Sequence, residues 1–149
     1  MRDRLARAGV AAAVTIMGAG TAMAVPAAPS PVGRWITQDN TAIIAIGPCG
    51  GGLCGRIARI LRRDPGAPET DVNNPDPRLR HRRADSVVIL SGFVADGARW
   101  RGQVYDPRSG RTYRSFIATA DGRTLDVRGC VLMLCRSQTW RRDRSDRSD

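Results

Sequence analysis

Between Val32 and Arg142 no window keeps apolar side chains at helical spacing for three turns. Short β-branched or alternating runs recur instead, each closed by turn residues, which is the signature of an all-β sandwich or barrel. Strands are expected near Gly33–Gln38, Thr41–Gly47, Gly55–Leu61, Val87–Val94, Arg99–Tyr105, Arg111–Ala118, Arg123–Arg128 and Cys135–Arg141. The connectors Asp39-Asn40, Asp96-Gly97, Asp106-Pro107-Arg108-Ser109-Gly110 and Asp121-Gly122 carry hairpin chemistry, because Gly accepts positive φ. Alternation is clearest where Trp100 and Val104 oppose Arg99, Arg101 and Gln103, and where Leu125 and Val127 oppose Thr124, Asp126 and Arg128. One buried and one wet face per strand is what a small closed sheet requires. The expectation is an all-β, small antiparallel, largely up-and-down eight-stranded β-barrel, whose closure removes adhesive strand edges.

One connection is long. Arg62 to Ser86 is dense in Pro, Asp, Asn and Arg, and loops beyond about 15 residues often cover binding sites. It is read as a lid over one barrel mouth, with a short turn starting at Pro77.

The chain of 149 residues divides naturally around this core. Residues 1–24 pair a basic start with an Ala-rich apolar stretch ending Ala22-Met23-Ala24, the pattern of a cleaved export signal. Residues 25–32 read as a Pro-rich linker, 33–142 as the barrel domain and 143–149 as a disordered charged tail. No second apolar run is long enough to span a membrane, so a periplasmic or secreted, monomeric protein is expected.

Cys49 and Cys54, like Cys130 and Cys135, form C-x₄-C pairs at strand junctions. Export favours oxidation, and pairing within each hairpin is preferred over bonds between the hairpins or a four-thiolate zinc site. Asp71 and Asn73 begin like a calcium loop, but Pro75 takes the next ligand position and no closing Glu follows. Metal and cofactor sites are therefore not expected. All 24 cationic residues are Arg, giving a formal net charge of +10. The cluster Arg78, Arg80, His81, Arg82 and Arg83 suits an anionic envelope component, whereas the absence of an aromatic stacking platform argues against nucleic acid. No G-x-S-x-G, H-E-x-x-H or P-loop occurs, which leaves loop carboxylates such as Asp71 and Asp106 as the acid–base candidates of a hydrolase.

Gly33-x-Trp35 resembles the G-x-W opening of lipocalin and calycin barrels. That resemblance implies a structural role for Trp35 and Trp140, with Arg142 or Arg141 from the last strand packed across Trp35. A wider set comprises Cys49–Ile57, Asp71–Pro77, Ile89–Phe93, Tyr105–Tyr113 and Gly129 through Trp140. In that order these segments look like the exported bacterial domain of unknown function 2147, which implies a lipocalin-like barrel and no assigned activity. Arg82-Arg83-Ala84 departs from the family's Arg-Pro-Leu run. The resulting expectation is a non-catalytic carrier or sensor of a small, partly apolar molecule. Phe93, Trp100, Tyr105 and Phe116 would give apolar contact, and Asp71, Asn73 and Arg80 would orient a polar group. The competing expectation is a barrel filled by its own side chains that acts through an Arg-rich exterior.

Overall fold

A computed structural model describes residues 27–145. The export-signal reading and residues 146–149 of the tail lie outside the described residues. The strands are β1 (Gly33–Ile36), β2 (Ala42–Cys49), β3 (Gly52–Ile60), β4 (Val88–Asp96), β5 (Arg99–Asp106), β6 (Arg111–Ala118), β7 (Thr124–Val131) and β8 (Leu134–Arg142). Every neighbouring pair is antiparallel, and β8 returns to β1 to close the barrel in sequence order. That closure is brief: β1 meets β8 only through Trp35↔Arg142 and Ile36↔Arg141. Above it Gln38 Oε1 accepts from Thr139 N at 2.8 Å, so a side chain extends the seam by one bond.

Two hairpins run further than the sequence suggests. β2 and β3 stay paired to Cys49↔Gly52, and only Gly50 and Gly51 turn, at φ 53° and 82°. Consecutive positive φ values match the twist of the flanking strands, so the ladder continues through residues that read as loop. β7 and β8 likewise stay paired to Val131↔Leu134 around Leu132 and Met133. Disulfides Cys49–Cys54 and Cys130–Cys135 staple these two hairpins, which excludes both inter-hairpin bonds and a thiolate zinc site.

Alternation sorts side chains inward and outward. Trp35, Ile44, Leu90, Phe93, Ile117, Leu125 and Trp140 are all buried and belong to one contiguous core. The termini fold onto the barrel more than their composition suggests. Pro31 and Pro29 carbonyls accept from Trp35 Nε1 (2.8 Å) and Trp100 Nε1 (3.1 Å). Asp143, expected to open a disordered tail, is buried and receives a bond from Arg34 Nε at 3.2 Å.

Candidate functional site

The two barrel ends differ. At the closed end, where β1 starts and β8 finishes, the Arg142 guanidinium lies 4.0 Å from the centre of the Trp35 ring. Its nitrogens donate to Gly122 O at 2.8 Å and Val32 O at 2.9 Å. Gly33 is glycine for this reason, since a Cβ there would collide with that guanidinium. Arg141 instead projects outward to Asn40 Oδ1, which settles which of the two arginines covers the tryptophan.

Towards the other end, burial relaxes. The floor made by Trp35, Phe93, Leu125 and Trp140 is at most 3% exposed. Ala42, Ile57 and Val104 pack on it but are only partly buried, as are Tyr113 and Gly129 further up the same inward-facing rows. Gln138 is exposed, and its Oε1 accepts from Trp140 Nε1 at 3.0 Å. Burial thus falls from the floor to the rim, and this upper half of the barrel interior is called the cup. Midway up, the register places Gly102, Ser115 and Gly129 side by side across β5, β6 and β7. This is a belt of minimal side chains, and the buried Ser115 Oγ has no hydrogen-bond partner. A Cβ on Gly129 would meet Val104 Cγ1 at 3.4 Å, so that position faces the interior.

The long connection is latched at this end. Asp71 is 1% exposed, and its carboxylate accepts from Tyr105 Oη (2.7 Å), Arg82 (2.7 Å) and Asn74 Nδ2 (2.8 Å). Burial pushes the Asp71 carboxyl up, but those three bonds and the Arg82 charge outweigh it and hold the group below its ordinary value. Burial and the Asp71 anion together push the Tyr105 phenol up to about 12. Asn73 Nδ2 donates to the carbonyls of Pro107 (3.2 Å) and Arg108 (2.9 Å), tying the lid to the β5–β6 turn. Arg80 Nε donates to Asn74 O at 2.7 Å, inside the lid itself. Asp76 caps the short 3₁₀ turn Pro77–Leu79 by accepting from Arg78 N.

The seven residues expected to line one site therefore occupy three places. Asp71, Asn73, Arg80 and Tyr105 hold the lid. Phe93 and Trp100 lie towards the closed end, where Phe93 packs over Gly102 and Trp100 bonds Pro29. Phe116 is out of phase with the buried Ser115 and Ile117, so it faces outward with Arg99 stacked 3.9 Å above its ring. Asp106, the other carboxylate considered for catalysis, caps the β5–β6 turn through Arg108 N and Ser109 Oγ. The residues that sequence reasoning missed are Ser115, Gly129, Val104 and Tyr113 in the cup, and Asn74 and Arg82 in the latch. The alternation Tyr113, Ser115, Ile117 already carried the signal for the first group.

An eight-stranded antiparallel barrel sealed at one end by Arg142 over Trp35, with a long connection latched to β5 and the β5–β6 turn at the other, is a lipocalin-like architecture. The chain belongs to the family described as "Uncharacterized protein conserved in bacteria (DUF2147)", whose model matches residues 33–142. Among solved structures it is similar to a Helicobacter pylori protein titled "Protein HP1028 from the human pathogen Helicobacter pylori belongs to the lipocalin family". The TM-score is 0.66 at 22% identity, over 78% of this chain and 85% of that one, a likeness of fold. No curated protein matches. Among the described residues no helix is long and apolar enough to cross a membrane.

Proposed function

We propose that the protein is a non-catalytic binding protein that holds a small, partly apolar molecule in the lidded half of its barrel. The observation that carries this reading is the belt Gly102, Ser115 and Gly129 with its unpaired buried hydroxyl. The belt is closely packed, with Phe93 over Gly102 and Ser115 Oγ shut off from solvent, so a guest reaches the hydroxyl by displacing the side chains above it. An unpaired buried hydroxyl costs roughly 1–3 kcal/mol, which a polar atom of a guest recovers on reaching it. Val104, Ile57 and Tyr113 supply the apolar wall, and the guest enters beside Gln138.

The carboxylates considered for acid–base chemistry are committed to the lid latch and a turn, which favours binding over turnover. The two disulfides suit an oxidising compartment, which supports a location after export, in the periplasm or beyond.

The test is energy transfer from tryptophan to anilinonaphthalene sulfonate in the wild type and in Gly129→Leu, whose side chain fills the cup. The expected result is saturable transfer in the wild type, lost in the variant while near-ultraviolet circular dichroism is retained. Equal transfer in both proteins, or none in either, overturns the assignment.

A further inference from the structure

Among the described residues, the tip of the β7–β8 hairpin is the most exposed apolar segment. Val131, Leu132, Met133 and Leu134 are consecutive and are 54%, 87%, 95% and 80% exposed. The other large apolar side chains that reach solvent among the described residues are scattered singly and are at most 45% exposed. Leu132 also sits at φ 53°, a conformation that a glycine adopts without strain and a branched side chain does not. An apolar residue is thus kept at the turn against its own backbone preference. Directly behind the tip, Cys130 faces Cys135 in the ladder and the disulfide joins them, so the four side chains are held on a rigid stem.

Near the tip the stem and its β6 neighbour carry one sign of charge, the acid facing them being Asp106, opposite Arg111 across β5 and β6. No Asp or Glu occurs from Val127 to Arg142 or from Arg111 to Thr119, and the same stretches contribute Arg111, Arg114, Arg128 and Arg136. Arg114 donates to the Leu132 carbonyl at 3.3 Å, which sets its guanidinium beside the tip. Arg128 Nε donates to Ser137 Oγ on the neighbouring strand at 3.2 Å.

We propose that this hairpin is a membrane-surface anchor: the apolar tip enters the acyl boundary of a bilayer while Arg111, Arg114 and Arg136 bind the phosphates of anionic lipid. An apolar point with cations a few ångströms behind it matches the depth profile of a lipid interface, apolar first and anionic above. Four side chains expose far less than the roughly 800 Å² per partner that a stable protein interface needs. A second copy docking tip to tip would set these arginines against themselves. The inference goes beyond the binding reading and is independent of it. Because the lid lies at the same barrel end, anchoring would present the cup's mouth to the lipid.

The experiment is co-sedimentation of the oxidised protein with vesicles of phosphatidylethanolamine and phosphatidylglycerol, or of phosphatidylcholine alone. Sedimentation velocity without lipid is run in parallel. The expected result is binding to the phosphatidylglycerol vesicles that weakens in high salt. Leu132→Ser and Met133→Ser should each weaken it by about tenfold, from the apolar surface no longer buried. Arg111→Gln and Arg136→Gln should each weaken it by about fivefold. Absence of binding overturns the proposal, as does binding that the serine variants leave unchanged, because the attraction then lies elsewhere on the arginine-rich surface. A dimer that the same serine variants abolish also overturns it, in favour of a second copy.

Discussion

Asp71→Asn tests whether the lid is held by charge. The substitution keeps the shape of the side chain but removes the anion and turns one acceptor oxygen into a donor. The new amide NH₂ either faces two donors, Arg82 and Asn74, or sits against Tyr105, whose hydroxyl must then accept, and in both cases Arg82 loses its counter-charge. Breaking a buried ion pair by removing one partner costs about 3–5 kcal/mol. The Arg82 side chain is 29% exposed and can recover some hydration, so the lower bound, about 3 kcal/mol, is the better figure. That energy falls on opening of the lid rather than on the barrel, because the latch joins a loop to the end of β5. A change of about 3 kcal/mol raises the open population somewhat more than a hundredfold. Trypsin reads this directly: the lid carries Arg78, Arg80, Arg82 and Arg83, and cleavage tracks the open population when reclosing is fast. The variant should be cut within the lid about a hundred times faster than wild type, with a thermal midpoint lowered by only a few degrees. A rate rising less than tenfold would refute the latch. So would a midpoint collapse that tracks the cleavage, since the network would then belong to the barrel core.

The same network sets a pH window. Because the folded Asp71 carboxyl titrates below its unfolded value, its contribution is complete above the unfolded pKa near 3.9 and is lost as pH falls through the lower folded value. Tyr105 acts at the other limit: its phenol is pushed up to about 12, so its contribution is lost as pH rises from about 10 towards that value. Hydrogen exchange of the lid amides Asp71 and Asn74 should therefore accelerate at both extremes. Arg142→Met removes two bonds to carbonyls and a cation over Trp35, and should lower stability by about 2–4 kcal/mol in urea titrations. Reducing either disulfide should cost about 2 kcal/mol, read from the denaturation midpoint with and without reductant. Gly110→Ala should free the lid, because its Cβ would strike the Asn73 carbonyl, and should cost the β5–β6 turn about 1 kcal/mol through its φ of 69°; accelerated trypsin cleavage within the lid is the readout.

Strand number, sheet closure and disulfide pairing were legible in the sequence because each rests on local signals: alternation, turn dipeptides and Cys spacing. The two stapled hairpins are longer than their sequence suggests because Gly50-Gly51 and Leu132-Met133 do not look like strand, although the ladder runs up to both pairs. The site was harder to read. Asp71 meets Tyr105 across 34 positions of sequence, so its role as a latch becomes visible only once the lid is folded against β5. Phe93 and Trp100 lie towards the closed end rather than beside the lid, since which end a side chain occupies depends on strand direction and register. Phe116 was drawn in by its aromatic ring, although its own strand alternates against it: Ser115 and Ile117 are buried on the opposite face. The cup escaped notice because it is made of small residues, and absence of bulk carries no chemical signature in a sequence.

Native mass spectrometry of the oxidised protein, recovered from a bacterial periplasm without detergent, tests the central claim most directly. The account predicts a monomer carrying a non-covalent organic adduct, and no adduct on Gly129→Leu prepared in the same way. A bare wild-type monomer, still bare after incubation with anilinonaphthalene sulfonate, would contradict it and leave a filled barrel that works through its surface.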